Sequence, residues 1–264
     1  AKGCSLASLD TSRIAEAVDA ARHSDVALIF VGSSSTAFVR YTQEPSTSGE
    51  GIDLSDISLT GAQEQLIRDV FAVGKPVVVV LVAGKPFAIP WVKENIPAIL
   101  AQWYAGEQGG NSIADILFGN VNPSGKLTFS FPQSTGHLPV YYNYLPTDKG
   151  YYKEPGTYEK PGRDYVFSNS SPLWAFGYGL SYTQFEYLKA VTDKEFYQAN
   201  DTVCVTVQLK NTGKRTGKEV IQVYMRDVVS SVMTPVKQLK GFRKVDLLPG
   251  QTRETTIMIP VHEF

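Results

Sequence analysis

Residues 48–53, with the sequence Ser-Gly-Glu-Gly-Ile-Asp, place one carboxylate, Glu50, between two glycines. Glycine allows backbone dihedral angles that other residues avoid, and it lets the chain approach a ligand closely. A glutamic acid on such a loop could protonate the leaving oxygen when a glycosidic bond is cleaved. The spacing alone is more typical of a solvated turn, so both interpretations stay open on the triplet by itself.

Two other carboxylates are expected to be structural. Asp53 would hold the loop, or the helix that follows it, rather than contact a substrate. Glu107 stands among glycines before a predicted helix, where it could mark an anion site, but we expect a buried carboxylate bonded to backbone N–H groups. Trp103 and Tyr104, a few residues earlier, are predicted to belong to the core rather than to a sugar-stacking platform.

The composition argues against several classes of partner. The 264 residues include 25 basic and 26 acidic side chains, and a formal net charge of −1 favours neither nucleic acid nor an anionic membrane. No apolar run reaches the roughly 18 residues of a membrane span. His23, His137 and His262 are scattered, and Cys4 and Cys204 lie far apart, so we predict no metal site, no cofactor and two free thiols. No G-x-G-x-x-G follows the first predicted strand, which counts against dinucleotide binding.

A long polar loop, residues 33–58, carries Glu50. It follows residues 26–31, a continuous apolar run that predicts a strand buried on both faces. Open α/β sheets bind ligands beyond the carboxyl ends of their strands, so the position of this loop is itself a functional signal. A loop of this length without secondary structure is typically functional or disordered.

Helix and strand signals alternate through the N-terminal half of the chain. Thr11 or Ser12 is predicted to cap a first helix and Thr60 a second, and residues 26–31 form the first strand. The other predicted elements are strands at 77–82, 98–102 and 126–131 and helices at 86–94 and 110–117. This alternation predicts an α/β fold with a mostly parallel sheet sandwiched by helices.

The character of the sequence changes after Pro132. The tyrosines at 141, 142, 144, 151 and 152 fall in a stretch dense in Tyr, Gly and Pro, and we expect them to form domain-packing surface. Alternating apolar residues from about 185 onward predict an all-β sandwich. We therefore predict three parts: an α/β domain at 1–132, a wrapping segment at 133–184 that completes it, and a β-sandwich at 185–264. The opening and closing residues look like mid-protein sequence, so we expect a piece of a longer polypeptide.

The surroundings of Glu50 resemble glycoside hydrolase family 3. Residues 48–53, followed by Leu59 and Gln63, are similar to the loop that carries the general acid/base in that family. Further similar stretches follow in the family's order: WYAGEQGG at 103–110, ADILFG at 114–119, NPSGKL at 122–127, FP at 131–132, FGYGLSYTQF at 176–185, NTG at 211–213 and QLKGF at 238–242. The last two resemble the fibronectin type III-like module of the family, and the resemblance covers nearly the whole chain.

The resemblance implies a shared active site. Members of the family look like a barrel domain followed by an α/β sandwich, often with a fibronectin type III-like domain last. The barrel carries the nucleophilic Asp, and the sandwich lends the loop with the acid/base, which here would be Glu50. The implied activity is that of a retaining, exo-acting β-glycosidase, foremost a β-glucosidase, acting on a β-linked oligosaccharide or glycoside. The N-terminal barrel of the same polypeptide is the implied partner, and this chain alone is expected to be inactive.

Two departures from the family pattern bear on the loop. Leu54 follows Asp53 where the family often has Arg, and Leu59-Thr60-Gly61 stands where the family has Leu-Pro-Gly. Both departures leave the carboxylate of Glu50 in place, but they concern loop conformation and sugar preference.

Three other residues of the same loop could take part. Glu44 is a second candidate acid, and we prefer Glu50 because of its position in the motif. Phe38 and Arg40 are candidate substrate-binding residues, since they share the loop with Glu50.

The sequence leaves some alternatives open. The sugar could be xylose or N-acetylhexosamine instead of glucose, and the chain could act alone as a carbohydrate-binding or interaction module. The compartment is not fixed by the sequence, with a periplasmic or secreted location favoured. Because a barrel is expected to be missing, the surface that it would cover should be apolar in places and should promote self-association.

Overall fold

The computed structural model describes residues 1–35, 45–51, 53–146, 159–160 and 170–264. The chain divides into two compact units. The first comprises Ala1–Ile113, Phe131–Val140 and Ser171–Trp174, and the second comprises Ala114–Ser130, Tyr141–Ser170 and Ala175–Phe264.

A parallel sheet forms the centre of the first unit. Its strands are β1 (Ala27–Gly32), β2 (Val77–Val82) and β3 (Ala98–Ala101), in the order β1-β2-β3. The register pairs Ala27 with Val77 and Val78 with Ala98. The central strand β2 consists of valines and one leucine, the residue types that favour a buried strand.

Helices alternate with these strands, as the sequence predicts. They are α1 (Ile14–Arg22), α2 (Gln63–Phe71), α3 (Pro90–Asn95) and α4 (Gly109–Leu117). On α1, Ile14 and Ala21 are buried, and α2 buries its apolar side chains in the same core. No helix among the described residues is long and apolar enough to cross a membrane.

Strand β1 differs from the expectation of burial on both faces. Ala27, Ile29 and Val31 are buried, whereas Leu28 and Phe30, which point to the opposite face, are 46% and 52% exposed. On the same face, Val80 of the central strand β2 is fully buried, so among the described residues the cover of this face ends before the edge strand β1.

Three local predictions are corrected. No strand forms at 126–131; instead, Phe131 makes an isolated antiparallel bridge with Trp174. Helix α1 begins at Ile14, so neither Thr11 nor Ser12 is its N-cap, which is Arg13. Neither α1 nor α2 has a side-chain hydrogen bond at its cap. The hydroxyl of Thr60 donates to the carbonyl of Leu6 at 2.5 Å, so that it ties two loops together instead of capping a helix.

The second unit contains the predicted β-sandwich. Strands β4 (Phe185–Thr192), β5 (Thr202–Asn211) and β8 (Thr252–Pro260) form one antiparallel sheet, and β6 (Gly217–Met225) and β7 (Gln238–Leu247) form the other. The buried side chains that form its core are Val207, Leu209, Ile221, Val245, Leu247, Ile257 and Ile259. The predicted fold class, an α/β part followed by an all-β sandwich, is therefore confirmed.

A buried polar group fixes one end of this sandwich. The Asn211 side chain is fully buried and accepts a hydrogen bond from the Thr183 hydroxyl at 2.7 Å. Its amide nitrogen donates to the carbonyls of Arg215 and Leu247 at 2.8 and 3.1 Å. Because all three bonds are made inside the protein, Asn211 holds the turn between β5 and β6 without an unsatisfied polar atom.

Candidate functional site

The loop that carries Glu50 leaves the carboxyl end of β1, in the first unit. Gly32 ends the strand, and its Cα lies so close to β2 that an added Cβ would be 1.8 Å from the Val82 carbonyl oxygen. The next residue, Ser33, donates its backbone N–H to the same carbonyl at 3.0 Å. The start of the loop is thus held against the central strand by the backbone itself.

Tyr104 reinforces this start from the segment after β3. Its hydroxyl donates to the Ser33 carbonyl at 3.0 Å and lies 3.0 Å from the Ser33 hydroxyl. Since the single phenolic proton goes to the carbonyl, the Ser33 hydroxyl donates to Tyr104. The prediction that Tyr104 belongs to the core is wrong, because the residue is 45% exposed and its hydroxyl bonds the first residue of the loop. Trp103 fits the core prediction better, with its ring 6.2 Å from that of Phe131.

Hydrogen bonds between Ser34 and two later residues, Pro45 and Thr47, connect the two sides of the loop. Thr47 donates its backbone N–H to the Ser34 carbonyl at 3.0 Å, and its hydroxyl accepts the Ser34 N–H at 3.0 Å. The Ser34 hydroxyl donates to the Pro45 carbonyl at 2.8 Å. We call these three bonds, between Ser34 and residues 45–47, the neck of the loop, and Thr47 itself is buried.

Glu50 lies three residues beyond the neck, on an exposed turn. Gly49 and Gly51 both have left-handed backbone, with φ of 85° and 71°, a conformation that side chains other than glycine rarely adopt. The Glu50 N–H donates to the Ser48 hydroxyl at 3.3 Å. The two glycines are therefore needed for the turn that presents this carboxylate.

Asp56 and its neighbours fasten the other end of the loop. The Asp56 carboxylate accepts the Ser58 N–H at 2.8 Å and the Thr135 hydroxyl at 3.3 Å. The bond from the Ser58 backbone is the main cause that lowers the pKa of Asp56. Ile57 is buried, and its carbonyl accepts the N–H of Ala88 at 3.0 Å.

Lys85 lies just after the carboxyl end of β2. Its Nζ atom is buried and has no hydrogen-bond partner in the part of the chain that the structure describes. The ammonium lies 5.1 Å from the centre of the Phe87 ring. Burial lowers the pKa of Lys85, and the nearby charge of Asp56 partly offsets that effect.

The other predicted site residues are distributed as follows. The predictions for Phe38, Arg40 and Glu44 lie outside the described residues. Asp53 is exposed on the same loop as Glu50. Glu107 is exposed in a turn and not buried, so the expected role as a buried structural carboxylate is wrong; the turn faces solvent.

Of the described tyrosines that follow Pro132, Tyr142 packs within the second unit. The ring of Tyr142 stacks on Phe176 at 4.1 Å and lies 6.1 Å from Tyr224. Tyr141 is exposed, and the predictions for Tyr151 and Tyr152 lie outside the described residues.

Sequence reasoning missed the residues that hold the loop. Thr47, Tyr104 and Gln63 act through partners far away along the chain, and Gln63 appeared only as part of a motif. A polar residue that is buried next to the end of a strand would have been the signal for such a role. A single sequence does not reveal which polar residues are buried, so the signal could not be used.

Two family models match the chain. The Glycosyl hydrolase family 3 C-terminal domain matches residues 5–182, and a Fibronectin type III-like domain matches residues 219–264. The chain is 40% identical over 268 residues to a Beta-xylosidase from Formosa agariphila, an alignment that covers 100% of this chain and 34% of that protein. It is 42% identical over 249 residues to a Periplasmic beta-glucosidase from Salmonella typhimurium, covering 94% of this chain and 31% of that protein.

A solved structure is similar over both units. The beta-glucosidase from Listeria innocua in complex with glucose gives a TM-score of 0.85 at 34% identity, and the match covers 99% of this chain and 35% of that one. The chain thus spans about a third of the length of the relatives that it matches.

Proposed function

Because this chain belongs to glycoside hydrolase family 3, we propose that it is the C-terminal part of a retaining, exo-acting β-glycosidase. In this proposal the complete polypeptide hydrolyses terminal, non-reducing β-D-glycosyl residues, foremost β-glucosides. This chain contributes the general acid/base, Glu50. The observation that carries the proposal is the exposed position of Glu50 on a turn between two glycines with φ of 85° and 71°.

The reaction would run in two displacements at the anomeric carbon. An Asp of a barrel domain, outside this chain, attacks that carbon while protonated Glu50 gives its proton to the leaving oxygen, so that the glycosidic bond breaks and a glycosyl ester forms. Glu50, now a carboxylate, then takes a proton from water as the water oxygen attacks the same carbon. The sugar leaves with retained configuration, and the Asp is released. Retaining chemistry places the two carboxyl groups about 5–5.5 Å apart.

The turn supports this role in two ways. An exposed residue between glycines can reach beyond the surface of its own domain, as an acid that serves a neighbouring pocket must. The turn also belongs to the loop after β1, at the carboxyl end of the strand, which is where α/β proteins bind ligands.

The variant Glu50→Gln in the complete polypeptide tests the proposal. Loss of the acid should lower kcat/KM on a disaccharide by roughly 10²–10⁴-fold. An aryl glycoside whose leaving group needs no protonation should lose much less, and azide, which replaces the activated water, should restore its turnover. Glu107→Gln is the matched control, because Glu107 is an exposed glutamate that follows a glycine in the same unit; it should behave like the wild type.

Wild-type turnover of the disaccharide by Glu50→Gln would refute the assignment of the acid. The sugar is tested separately with a panel of aryl glycosides. We expect the glucoside to be preferred; preference for the xyloside or for the N-acetylhexosaminide would keep the chemistry and change the substrate.

We further propose that this chain alone is inactive, since the nucleophile lies outside it. Calorimetric titration of the chain with glucose and cello-oligosaccharides should give no measurable heat of binding. In this proposal a second domain supplies part of the sugar pocket, and that domain is absent from the titrated chain. Tight binding to the chain alone would favour the alternative function as a carbohydrate-binding module.

A further inference from the structure

The segment that carries Glu50 is held at both ends. We call residues 48–56 the acid arm; it begins after Thr47 and ends before Ile57. Both flanking residues are buried, whereas Glu50 and Asp53 on the arm are exposed. The described residues of the acid arm are thus exposed or half-buried, and they run between two buried residues.

Thr47 is the nearer of the two fixed points to the acid. It precedes Glu50 by three residues, so the two Cα atoms cannot be more than about 11 Å apart. Ile57 follows Glu50 by seven residues, which allows more than twice that distance. Of the two flanking residues, Thr47 therefore limits the position of Glu50 more closely.

A continuous series of hydrogen bonds connects Thr47 to the sheet. The Thr47 hydroxyl accepts the Ser34 N–H at 3.0 Å, and the Thr47 N–H donates to the Ser34 carbonyl at 3.0 Å. Ser33, directly before Ser34, donates to the Val82 carbonyl of β2 at 3.0 Å and is bonded to the Tyr104 hydroxyl. Thr47 is 4% exposed, which shields its bonds from water and increases their contribution.

We infer that Thr47 is a positioning residue for the acid, through a hydroxyl that closes the neck at Ser34 and so fixes the base of the acid arm. Without that hydroxyl, the Ser34 N–H loses its acceptor, and the neck keeps only two bonds, from the Thr47 N–H to the Ser34 carbonyl and from the Ser34 hydroxyl to the Pro45 carbonyl. An N–H that loses its acceptor away from water destabilises the closed neck, so the base of the acid arm would be held less firmly and Glu50 would spend less time at the leaving oxygen. This inference rests on the proposed function of Glu50.

The consequence should depend on the leaving group. Proton donation by Glu50 matters for a sugar or alkyl leaving group, which departs poorly as an anion, and matters little for a dinitrophenyl group. A threonine that merely stabilises the fold would affect both substrates equally, because it would change the amount of folded enzyme.

The test compares Thr47→Val with Thr47→Ser in the complete polypeptide. Valine keeps the shape of threonine but lacks the hydroxyl, and serine keeps the hydroxyl. For Thr47→Val we expect kcat/KM on a disaccharide to fall roughly tenfold or more, within the range that a misplaced catalytic group costs, with the dinitrophenyl glycoside nearly unchanged. Thr47→Ser should retain most of the wild-type activity on both.

Thr206→Val is the matched control. The Thr206 hydroxyl bonds that of Thr256 at 3.0 Å within the β-sandwich, in the second unit. Removing it costs a comparable hydrogen bond and should leave both substrates unaffected.

Measuring Glu50→Gln beside these variants separates the two proposals. Glu50→Gln could show the selective loss of activity on the disaccharide while Thr47→Val loses activity on both substrates equally, or on neither. That result would overturn the role of Thr47 and leave that of Glu50 standing. If Glu50→Gln keeps full activity on the disaccharide, the acid is another residue and the inference about Thr47 falls with it.

Discussion

The side chain of Gln63, at the start of α2, bonds both backbone polar groups of Gly32, at the end of β1. The Gly32 N–H donates to Oε1 at 2.7 Å, and Nε2 donates to the Gly32 carbonyl at 3.0 Å. The same Nε2 lies 3.1 Å from the carbonyls of Leu6 and Thr60. Gln63 is 2% exposed, so one buried amide joins the two ends of the loop that carries Glu50.

Replacing Gln63 with Leu should destabilise the first unit. The buried N–H and carbonyl of Gly32 would both lose their partner, and an unsatisfied buried polar group costs about 1–3 kcal/mol. We expect a loss of about 2 kcal/mol or more in the free energy of unfolding, measured by urea denaturation, together with faster hydrogen exchange at the Gly32 amide.

Gln65→Leu is the control for that experiment. Gln65 lies on the same helix, is exposed and donates to Asp69 at 2.6 Å, so its replacement should change the free energy of unfolding by less than about 0.5 kcal/mol. Equal losses in the free energy of unfolding for the two substitutions would show that the bonds to Gly32 stabilise the fold no more than an exposed side-chain bond does.

These bonds mark the limit of what the sequence predicts. The apolar runs predict β1 and β2 well, since a parallel sheet needs such runs, and the motif around Glu50 predicts the family. The family comparison confirms that resemblance. The side-chain bonds of Gln63 and Thr47 join residues that lie 31 and 13 positions apart in the chain, and only the folded structure brings such partners together.

Other expectations failed where burial decided the outcome. The alternation of β1 is invisible in a continuous apolar run, so the exposure of Phe30 could not be predicted from residue types. Thr60 has the residue type of a helix cap but finds a closer acceptor at Leu6. The roles of Phe38 and Arg40 and the predicted domain boundaries at 132 and 184 stay predictions.

Lys85→Met should stabilise the chain at neutral pH. The Lys85 ammonium is buried without a hydrogen-bond partner among the described residues, and a buried charge of this kind opposes folding. Methionine keeps most of the aliphatic stem beside Phe87 and removes the charge. Allowing for the partial exposure of the rest of the side chain, we expect a gain of about 1 kcal/mol in the free energy of unfolding.

The gain should shrink at high pH. Burial lowers the pKa of Lys85 in the folded state below its ordinary value of 10.5, so the folded protein binds fewer protons than the unfolded chain in the interval between the two pKa values. Stability therefore rises with pH across that interval, as the folded state sheds the buried charge first. Urea denaturation at pH 7 and near pH 10 measures the difference between wild type and variant.

Lys93→Met provides the comparison for Lys85. Lys93 is exposed, with its ammonium 5.8 Å from the Trp174 ring, and its replacement should change stability little at either pH. A loss of stability in Lys85→Met at pH 7 would mean that the buried ammonium is stabilising, contrary to this argument.

The uncovered face of β1 should cause self-association of this chain on its own. Leu28 and Phe30 are about half exposed side by side on an edge strand, where a parallel sheet is normally covered. Each side chain contributes roughly 1 kcal/mol when an apolar partner covers its exposed half. Light scattering should therefore show an average mass that rises with concentration. The double variant Leu28→Thr, Phe30→Thr removes the exposed apolar groups, introduces β-branched residues that suit a strand, and should weaken association roughly tenfold or more. Phe196→Thr, at an exposed phenylalanine of the second unit, should leave the mass unchanged. A wild-type chain that stays monomeric at the highest concentration would show that this face does not drive association.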